Sequence, residues 1–145
     1  MNFGYGLSYT NFTFGTVSVI VTNTSAFDSR FPTGKLSLGG HEDLWDEVVQ
    51  VTTSTRNTGS VNGAQVIQLY VDIPTEAAQP KRVLRGFEKV RVSAGMSEKV
   101  TFSVRRRDLS YWDTAAQKWA IANGRDSFSV GASSRDIHAT VVLDL

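Results

Sequence analysis

Two short stretches of the sequence carry side chains of the types that enzymes use. His41–Asp46 holds an imidazole followed by three carboxylates, a set that could bind a hard metal ion or act as acid and base. Ser133–His138 holds two serines, an aspartate and a histidine, the residue types of a nucleophilic triad. The chain has no Gly-x-Ser-x-Gly turn to expose a serine. We therefore interpret the first stretch as a solvated loop face and the second as a polar turn before a final strand.

A third stretch, Asp108–Asp113, combines two aspartates and a serine with a tyrosine and a tryptophan. Asp and Ser side chains often hydrogen-bond to nearby backbone groups and so stabilise turns. The stretch predicts such a turn, with its aromatic side chains covering the edge of the core. We expect a structural role for it rather than a catalytic one.

Arginine and aromatic side chains are stronger candidates for function, because they can bind a partner without catalytic geometry. Guanidinium groups suit anionic or phenolic groups, and Tyr and Trp stack on the apolar faces of sugar or lignin rings. Alternatively, the arginines form interdomain salt bridges, and the aromatic side chains pack internally or face another domain. The candidate arginines are Arg82, Arg85, Arg105, Arg106 and Arg107, and the candidate aromatic residues are Tyr5, Tyr9, Trp45, Tyr111 and Trp112, with Trp119 in the same pool.

Alternating apolar and polar residues predict the strands that would position these side chains. In Thr16–Thr22, Val17, Val19 and Val21 share one face, as a half-buried antiparallel strand requires. The same alternation predicts strands within Glu47–Thr55, Ala64–Val71, Ser97–Val104, Ser127–Ala132 and Thr140–Leu145, with a seventh through Leu84–Val92. Asn and Gly residues that tolerate positive φ lie between them. We expect an all-β fold, a sandwich of two antiparallel sheets.

Two segments do not fit a minimal sandwich. Residues 24–46 contain Pro32, a Gly39–Gly40 pair and mixed polarity, which predicts a long insertion without regular structure. Residues 1–14 are too rich in Gly, Tyr and Phe for a flexible linker, so we expect this segment to lie at the edge of another domain. The sandwich then spans residues 15–145 and carries 24–46 as its insertion.

The composition limits the classes of partner. The chain has 145 residues, a formal net charge of +1 and no cysteine. Such a charge provides no large positive field for nucleic acid or anionic lipid, and the apolar runs are too short to cross a bilayer. Without cysteine there is no disulfide and no thiolate metal site. Sequons at Asn11 and Asn23 would permit N-glycosylation in a secretory pathway.

Five blocks of sequence together resemble one protein family. They are Phe3–Phe12, Gly63–Val71 with Asn57–Gly59 before it, Leu84–Val90, Arg107–Asp113 and Val130–Asp136. In order and spacing they resemble the C-terminal fibronectin type III-like domain of secreted family 3 glycoside hydrolases, the β-glucosidases. The end of the insertion, Gly39–Asp46, is similar to the fungal form. Ala94 and Phe128 depart from the family, which usually has Pro and Tyr at these positions.

The resemblance implies an immunoglobulin or fibronectin type III-like sandwich without catalytic residues. The family hydrolyses terminal β-linked glucose with two carboxylates that upstream domains supply, so we expect no catalytic residue, cofactor or metal in this chain. The expected partners are the catalytic domains of the same secreted polypeptide, a β-glucosidase of cellulose degradation, with the module itself monomeric. The alternative is a binding module that adheres to lignin or plant-wall polysaccharide through exposed aromatic residues and arginines.

Overall fold

The computed structural model describes residues 11–38, 40–74, 83–121, 124–133 and 136–144. Within these ranges the chain forms strands and short 3₁₀ turns, and no helix is long and apolar enough to cross a membrane. The strands are β1 (Phe12–Phe14), β2 (Ser18–Val21), β3 (Leu36–Ser37), β4 (Gly40–His41), β5 (Glu47–Asn57), β6 (Gly63–Asp72), β7 (Val83–Val92), β8 (Ser97–Arg105), β9 (Ser110–Asp113), β10 (Lys118–Ile121), β11 (Arg125–Ser133) and β12 (Asp136–Asp144). The 3₁₀ turns are Thr24–Phe27, Glu42–Trp45 and Arg106–Leu109.

Two four-stranded sheets form the body of the molecule. In the first, the long strand β5 pairs with β8 on one edge and with β2 and β1 on the other. The second has the order β12-β11-β6-β7. All of these pairs are antiparallel. The predicted all-β sandwich is therefore confirmed.

Inward-facing side chains of both sheets fill the space between them. Val49 and Val51 of β5 and Val104 of β8 are fully buried, and Leu69 of β6 and Phe128 of β11 meet them from the second sheet. Successive side chains of a strand point to opposite faces, so these residues come from alternate positions of the predicted patterns. Burial of each such side chain contributes roughly 1.5–3 kcal/mol to folding.

Asn57 closes the reversal between β5 and β6. Its side-chain amide donates hydrogen bonds to the carbonyl oxygens of Val61 at 2.8 Å and Val92 at 2.9 Å, and its Oδ1 accepts the backbone N–H of Gly59 at 2.9 Å. The residue is fully buried, and these bonds offset the free-energy cost of burying its amide. Asn57 and Gly59 are thus among the Asn and Gly residues that lie between the predicted strands, and they form the turn here.

In two segments the structure differs from the sequence-based expectation, and in a third it adds a strand. Phe12–Phe14 forms β1 and pairs with β5, whereas the division of the chain at residue 14 stays a prediction. Residues 24–46 contain two 3₁₀ turns and the β3–β4 pair, so the expectation of no regular structure is wrong. Ser110–Asp113 was expected to be part of a turn, but it forms β9 and pairs with β10 in a hairpin. Its backbone groups pair with those of Lys118–Ile121, which a turn alone would not provide.

Candidate functional site

Arg106 fastens the insertion to the sandwich. It lies in the 3₁₀ turn after β8 and is only 3% exposed. Its guanidinium donates hydrogen bonds to the carbonyl oxygens of Ala26 and, at 2.7 Å, Ser29, and its backbone N–H donates to the oxygen of Asp46 at 3.0 Å. Charge-assisted hydrogen bonds of this kind are stronger than neutral ones. Arg106 was a candidate binding residue, but its side chain is buried in the fold and bonded to the insertion.

The acidic stretch His41–Asp46 orders the insertion from within. Asp43 Oδ2 accepts the backbone N–H of Thr33 at 2.8 Å, and His41 Nδ1 lies 2.8 Å from the carbonyl oxygen of Gly34. Burial alone would raise the pKa of Asp43, but backbone hydrogen bonds and a nearby arginine charge bring it below its usual value. Among the described residues, no group of three or more His, Cys, Asp and Glu side chains is placed to hold a metal ion. The stretch supports the loop as well as facing solvent.

The hydrogen bonds predicted around Asp108 are confirmed. Asp108 Oδ2 accepts the backbone N–H of Arg105 at 2.9 Å, and the Ser110 hydroxyl donates to the carbonyl oxygen of Arg106 at 2.7 Å. Tyr111 packs against the core. These bonds turn the chain from β8 into the β9–β10 hairpin.

His138 packs against an aromatic ring of the other sheet. Its ring stacks on Phe14 with the centroids 4.0 Å apart and the planes at 24°. Ser134, the neighbour that could have suggested a nucleophile, lies outside the described residues. The packing of His138 is consistent with a structural interpretation of Ser133–His138.

A cluster of arginine and tryptophan side chains lies beside the β9–β10 hairpin. Trp112 and Trp119 are cross-strand partners whose ring centroids lie 5.4 Å apart with the planes at 71°. Arg107 lies over Trp119, with Cζ 3.4 Å from the ring centroid. Burial lowers the pKa of Arg107, the like charge of Arg85 lowers it further, and Asp108 opposes both. We call Arg85, Arg107, Trp112 and Trp119 the Arg–Trp cluster.

The geometry of this cluster limits how it can bind a polymer. Trp112 is 44% exposed, but its ring and that of Trp119 are closer to perpendicular than to parallel. Stacking on an extended polysaccharide or lignin surface requires coplanar exposed rings. These two rings alone therefore do not form a flat platform.

The remaining predicted site residues are dispersed. Trp45 is 50% exposed at the end of its 3₁₀ turn, Arg105 is exposed at the end of β8, and the Tyr111 hydroxyl accepts a hydrogen bond from the Arg30 guanidinium at 2.5 Å. Tyr5, Tyr9 and Arg82 lie outside the described residues. The structure thus brings Arg85 and Arg107 together with Trp112, and it places the other candidates elsewhere.

The two sequons lie in different surroundings. Asn11 is exposed, and its backbone oxygen accepts the N–H of Thr58 at 2.8 Å. Asn23 is half-buried, and its Oδ1 accepts the hydroxyl of Ser25, the third residue of the same sequon, at 2.8 Å. Glycosylation at either site stays a prediction.

Asp126 is a buried carboxylate that sequence reasoning missed. It is 1% exposed, and neither of its carboxylate oxygens has a hydrogen-bond partner. Burial raises its pKa to about 7, because desolvation disfavours the charged form. In β11 it lies two positions before Phe128 and therefore shares its inward face. The alternation that predicted this strand, extended by one step, would have identified it.

The two-sheet sandwich has a counterpart among known families. The family model described as the fibronectin type III-like domain matches residues 65–134, which include most of β6 and all of β7, β8, β9, β10 and β11. The family match and the observed order of strands in the two sheets indicate the same class of protein. The chain is a fibronectin type III-like module.

Relatives extend the match over nearly the whole chain. A probable beta-glucosidase D of Emericella nidulans is 54% identical over 135 residues, which cover 93% of this chain and 16% of that protein. The crystal structure of beta-D-glucoside glucohydrolase from Trichoderma reesei has a TM-score of 0.87 at 48% identity, covering 98% of this chain and 20% of the other. A glycoside hydrolase family 3 beta-glucosidase from Neurospora crassa has a TM-score of 0.80 at 27% identity, covering 97% and 25%. The chain belongs to the fibronectin type III-like domains of family 3 β-glucosidases, and it spans a quarter or less of these proteins.

Proposed function

We propose that this chain is a non-catalytic accessory module of a secreted β-glucosidase, and that it packs on and stabilises the catalytic domains of the same polypeptide. The relatives are several times longer than the chain, so they contain further domains on which such a module could pack. The side chains that first suggested catalysis support the fold instead. Asp43 and His41 order the insertion, and Asp108 caps a turn.

The observation that carries the proposal is a set of exposed large apolar side chains on the insertion. Leu36 is 67% exposed, Leu38 is fully exposed, and Trp45 is half-exposed. Large apolar side chains grouped on a surface mark sites of interaction. Because Arg106 and Asp43 hold the insertion by hydrogen bonds, these side chains are presented by an ordered segment, which lowers the entropic cost of docking.

The β9–β10 hairpin belongs to the same end of the sandwich. The backbone N–H of Ile121 donates to the carbonyl oxygen of Arg30 at 2.8 Å, and Arg30 also donates to Tyr111. The insertion and the hairpin are thus joined by hydrogen bonds on both strands of the hairpin. We infer that this end, which we call the insertion end, is the surface that contacts the catalytic domains.

A chimera tests the proposal. In the Trichoderma reesei enzyme, this chain would replace the segment that it matches, and the half-life of β-glucosidase activity at elevated temperature would be compared with that of the intact and the truncated enzyme. We expect the chimera to be close to the intact enzyme and the truncated form to lose activity about threefold faster or more. Equal half-lives for the chimera and the truncated form would contradict a stabilising role.

Paired substitutions in the chimera test the surface. Replacing Leu36 and Trp45 by serine should shorten the half-life, because both side chains lose apolar contact with the neighbouring domain. The matched control replaces Val61 and Met96 by serine. These residues lie near the opposite end of β5 and are about as exposed as Leu36 and Trp45, so their replacement should have little effect on the half-life. If both pairs have the same effect, the insertion end is not the docking surface.

Adhesion to lignin or plant-wall polysaccharide is a second candidate function. The exposure of Trp45, Trp112 and Arg105 favours it, since aromatic and cationic side chains adsorb phenolic rings and sugars. Depletion of the chain from solution by lignin-rich solids and by microcrystalline cellulose measures it directly. Retention no greater than that of an inert protein of similar charge would exclude this function.

A further inference from the structure

Arg85 lies at an irregularity in the edge strand β7. In the pairing of β7 with β6, Gly86 and Leu84 face consecutive residues of β6, so Arg85 between them has no partner on that strand. A bulge of this kind bends the strand and redirects a side chain, and bulges are frequent beside functional sites. The backbone therefore gives Arg85 a direction that regular pairing would not provide.

The bulge lies against the strand that leads to Arg107. Gly86 approaches the ring of Phe102 in β8 so closely that a Cβ on Gly86 would lie 2.9 Å from a ring carbon. Arg107 follows the end of β8, and the charge of Arg85 acts on it. The two arginines thus lie near enough at the β7–β8 edge of the sandwich for their like charges to repel.

Both guanidinium groups retain unused hydrogen-bond donors. Arg85 Nε and Arg107 Nη1 are buried atoms without a hydrogen-bond partner. Buried donors without acceptors are rare in folded proteins, because the lost hydration is not replaced. Asp108 attracts Arg107, but its Oδ2 accepts the backbone N–H of Arg105. A negatively charged hydrogen-bond acceptor would offset the repulsion between the two arginines and would supply the missing hydrogen bonds.

The tryptophans add orientation and apolar area to the arginine pair. The Cζ atom of Arg107 lies 3.4 Å from the centroid of the Trp119 ring. This cation–π contact restricts the orientation of the guanidinium group. Trp112 meets the Trp119 ring edge-on and exposes almost half of its own surface. A ligand that carried its negative charge on a ring could therefore contact Trp112 while its charge met the arginines.

We propose that the Arg–Trp cluster is a binding site for a carboxylate group. Planar carboxylates match the paired N–H donors of guanidinium groups. The carboxylate could belong to a small organic acid with a sugar or aromatic ring, or to an acidic side chain of a neighbouring domain. Binding of a free acid requires only the chain described above, so it can be tested apart from the accessory role.

Titration of the chain with defined acids tests the site. Benzoate, glucuronate and acetate would be added while Trp fluorescence and binding heat are recorded, with benzamide as the neutral analogue of benzoate. We expect saturable binding of benzoate with a dissociation constant of the order of 1 mM, and binding of benzamide at least about tenfold weaker. Equal binding of benzoate and benzamide would overturn the proposal, as would no saturable binding of any acid.

Three arginine variants locate the binding. Arg107→Gln and Arg85→Gln should each weaken benzoate binding about tenfold or more, whereas Arg56→Gln, an exposed residue in β5 near the far end of the sandwich, should leave it unchanged. Thermal unfolding of each variant verifies that it is folded. If Arg107→Gln does not fold, Arg85→Gln still tests the site. Equal weakening by Arg56→Gln would show attraction by net charge alone and would refute the site.

The three acids distinguish the source of the carboxylate. If benzoate or glucuronate binds several-fold more tightly than acetate, the ring contributes and a free organic acid is favoured. If acetate binds as tightly as the other two, the site recognises the carboxylate alone, as an acidic side chain of another domain would require. Both results support a carboxylate site.

Discussion

Replacing Asp126 by asparagine should make the stability of the module less dependent on pH. The carboxyl group is buried without a hydrogen-bond partner, and its pKa is raised to about 7. In the unfolded chain the pKa returns to the ordinary value near 3.9. Between these two values the folded state therefore binds more protons than the unfolded state, so stability falls as pH rises from about 4 to about 7.

The magnitude follows from the difference between the two pKa values. A shift of about three units corresponds to roughly 4 kcal/mol, a large part of the 5–15 kcal/mol that stabilises a typical domain. The asparagine side chain of the variant would not ionise, although its buried amide would cost about 1–3 kcal/mol if it stayed without partners. We therefore expect Asp126→Asn to be about 1–3 kcal/mol more stable than the wild type at pH 8, and equal or less stable at pH 4.

Urea unfolding at pH 4, 6 and 8 measures this difference directly. The exposed residue Asp28 provides the control, and Asp28→Asn should change stability by a small amount that does not reverse with pH. A wild type that is more stable than Asp126→Asn at pH 8, or a difference that is the same at all three pH values, would refute the assignment of a buried, protonatable carboxyl to this position.

Three further substitutions have defined outcomes. Arg106→Met should lower the free energy of unfolding by about 3 kcal/mol, because the carbonyl oxygens that accept hydrogen bonds from the guanidinium are left without donors. Arg105→Met, at the exposed neighbouring residue, is the control in the same denaturation assay. Equal losses in the two variants would contradict the anchoring role of Arg106. Gly95→Ala should cost about 1 kcal/mol, because φ at this position is +76° while a Cβ meets no atom within 4 Å; an unchanged melting temperature would show that the turn relaxes. In a secretory host, Asn11→Gln should remove a glycan from the exposed sequon, and an unaltered mass would mean that the site is not used.

The strands could be predicted because a sandwich imposes alternation on its sequence. Val49 and Val51 of β5, for example, must face inward for the sheets to bury their apolar sides. Two buried charged residues each lie just outside a predicted strand, at the next inward-facing position of its alternation. Arg106 continues the inward series of Val104, and Asp126 precedes that of Phe128. The alternation applies to charged side chains as well, but the sequence does not show whether the fold provides what would permit their burial.

The insertion and the hairpin could not be predicted, because tertiary contacts and an unusual turn define them. The 3₁₀ turn Thr24–Phe27 and the residues after it accept hydrogen bonds from Arg106, which is distant in sequence. The β9–β10 hairpin has no Gly at its positive-φ position. Gln117 takes a φ of 55°, and Asp113 Oδ1 accepts two backbone N–H groups of the turn. The Arg–Trp cluster depends in turn on this hairpin and on the bulge at Arg85.

Hydrogen–deuterium exchange of the isolated chain and of the Trichoderma reesei chimera tests whether the insertion end docks on the catalytic domains. We expect amides of residues 24–46 and of β9 and β10 to exchange at least about tenfold more slowly in the chimera, and exchange at the exposed outer face around Phe87 of β7 to be unchanged. Unaltered exchange at the insertion end, or protection confined to β7, would contradict it.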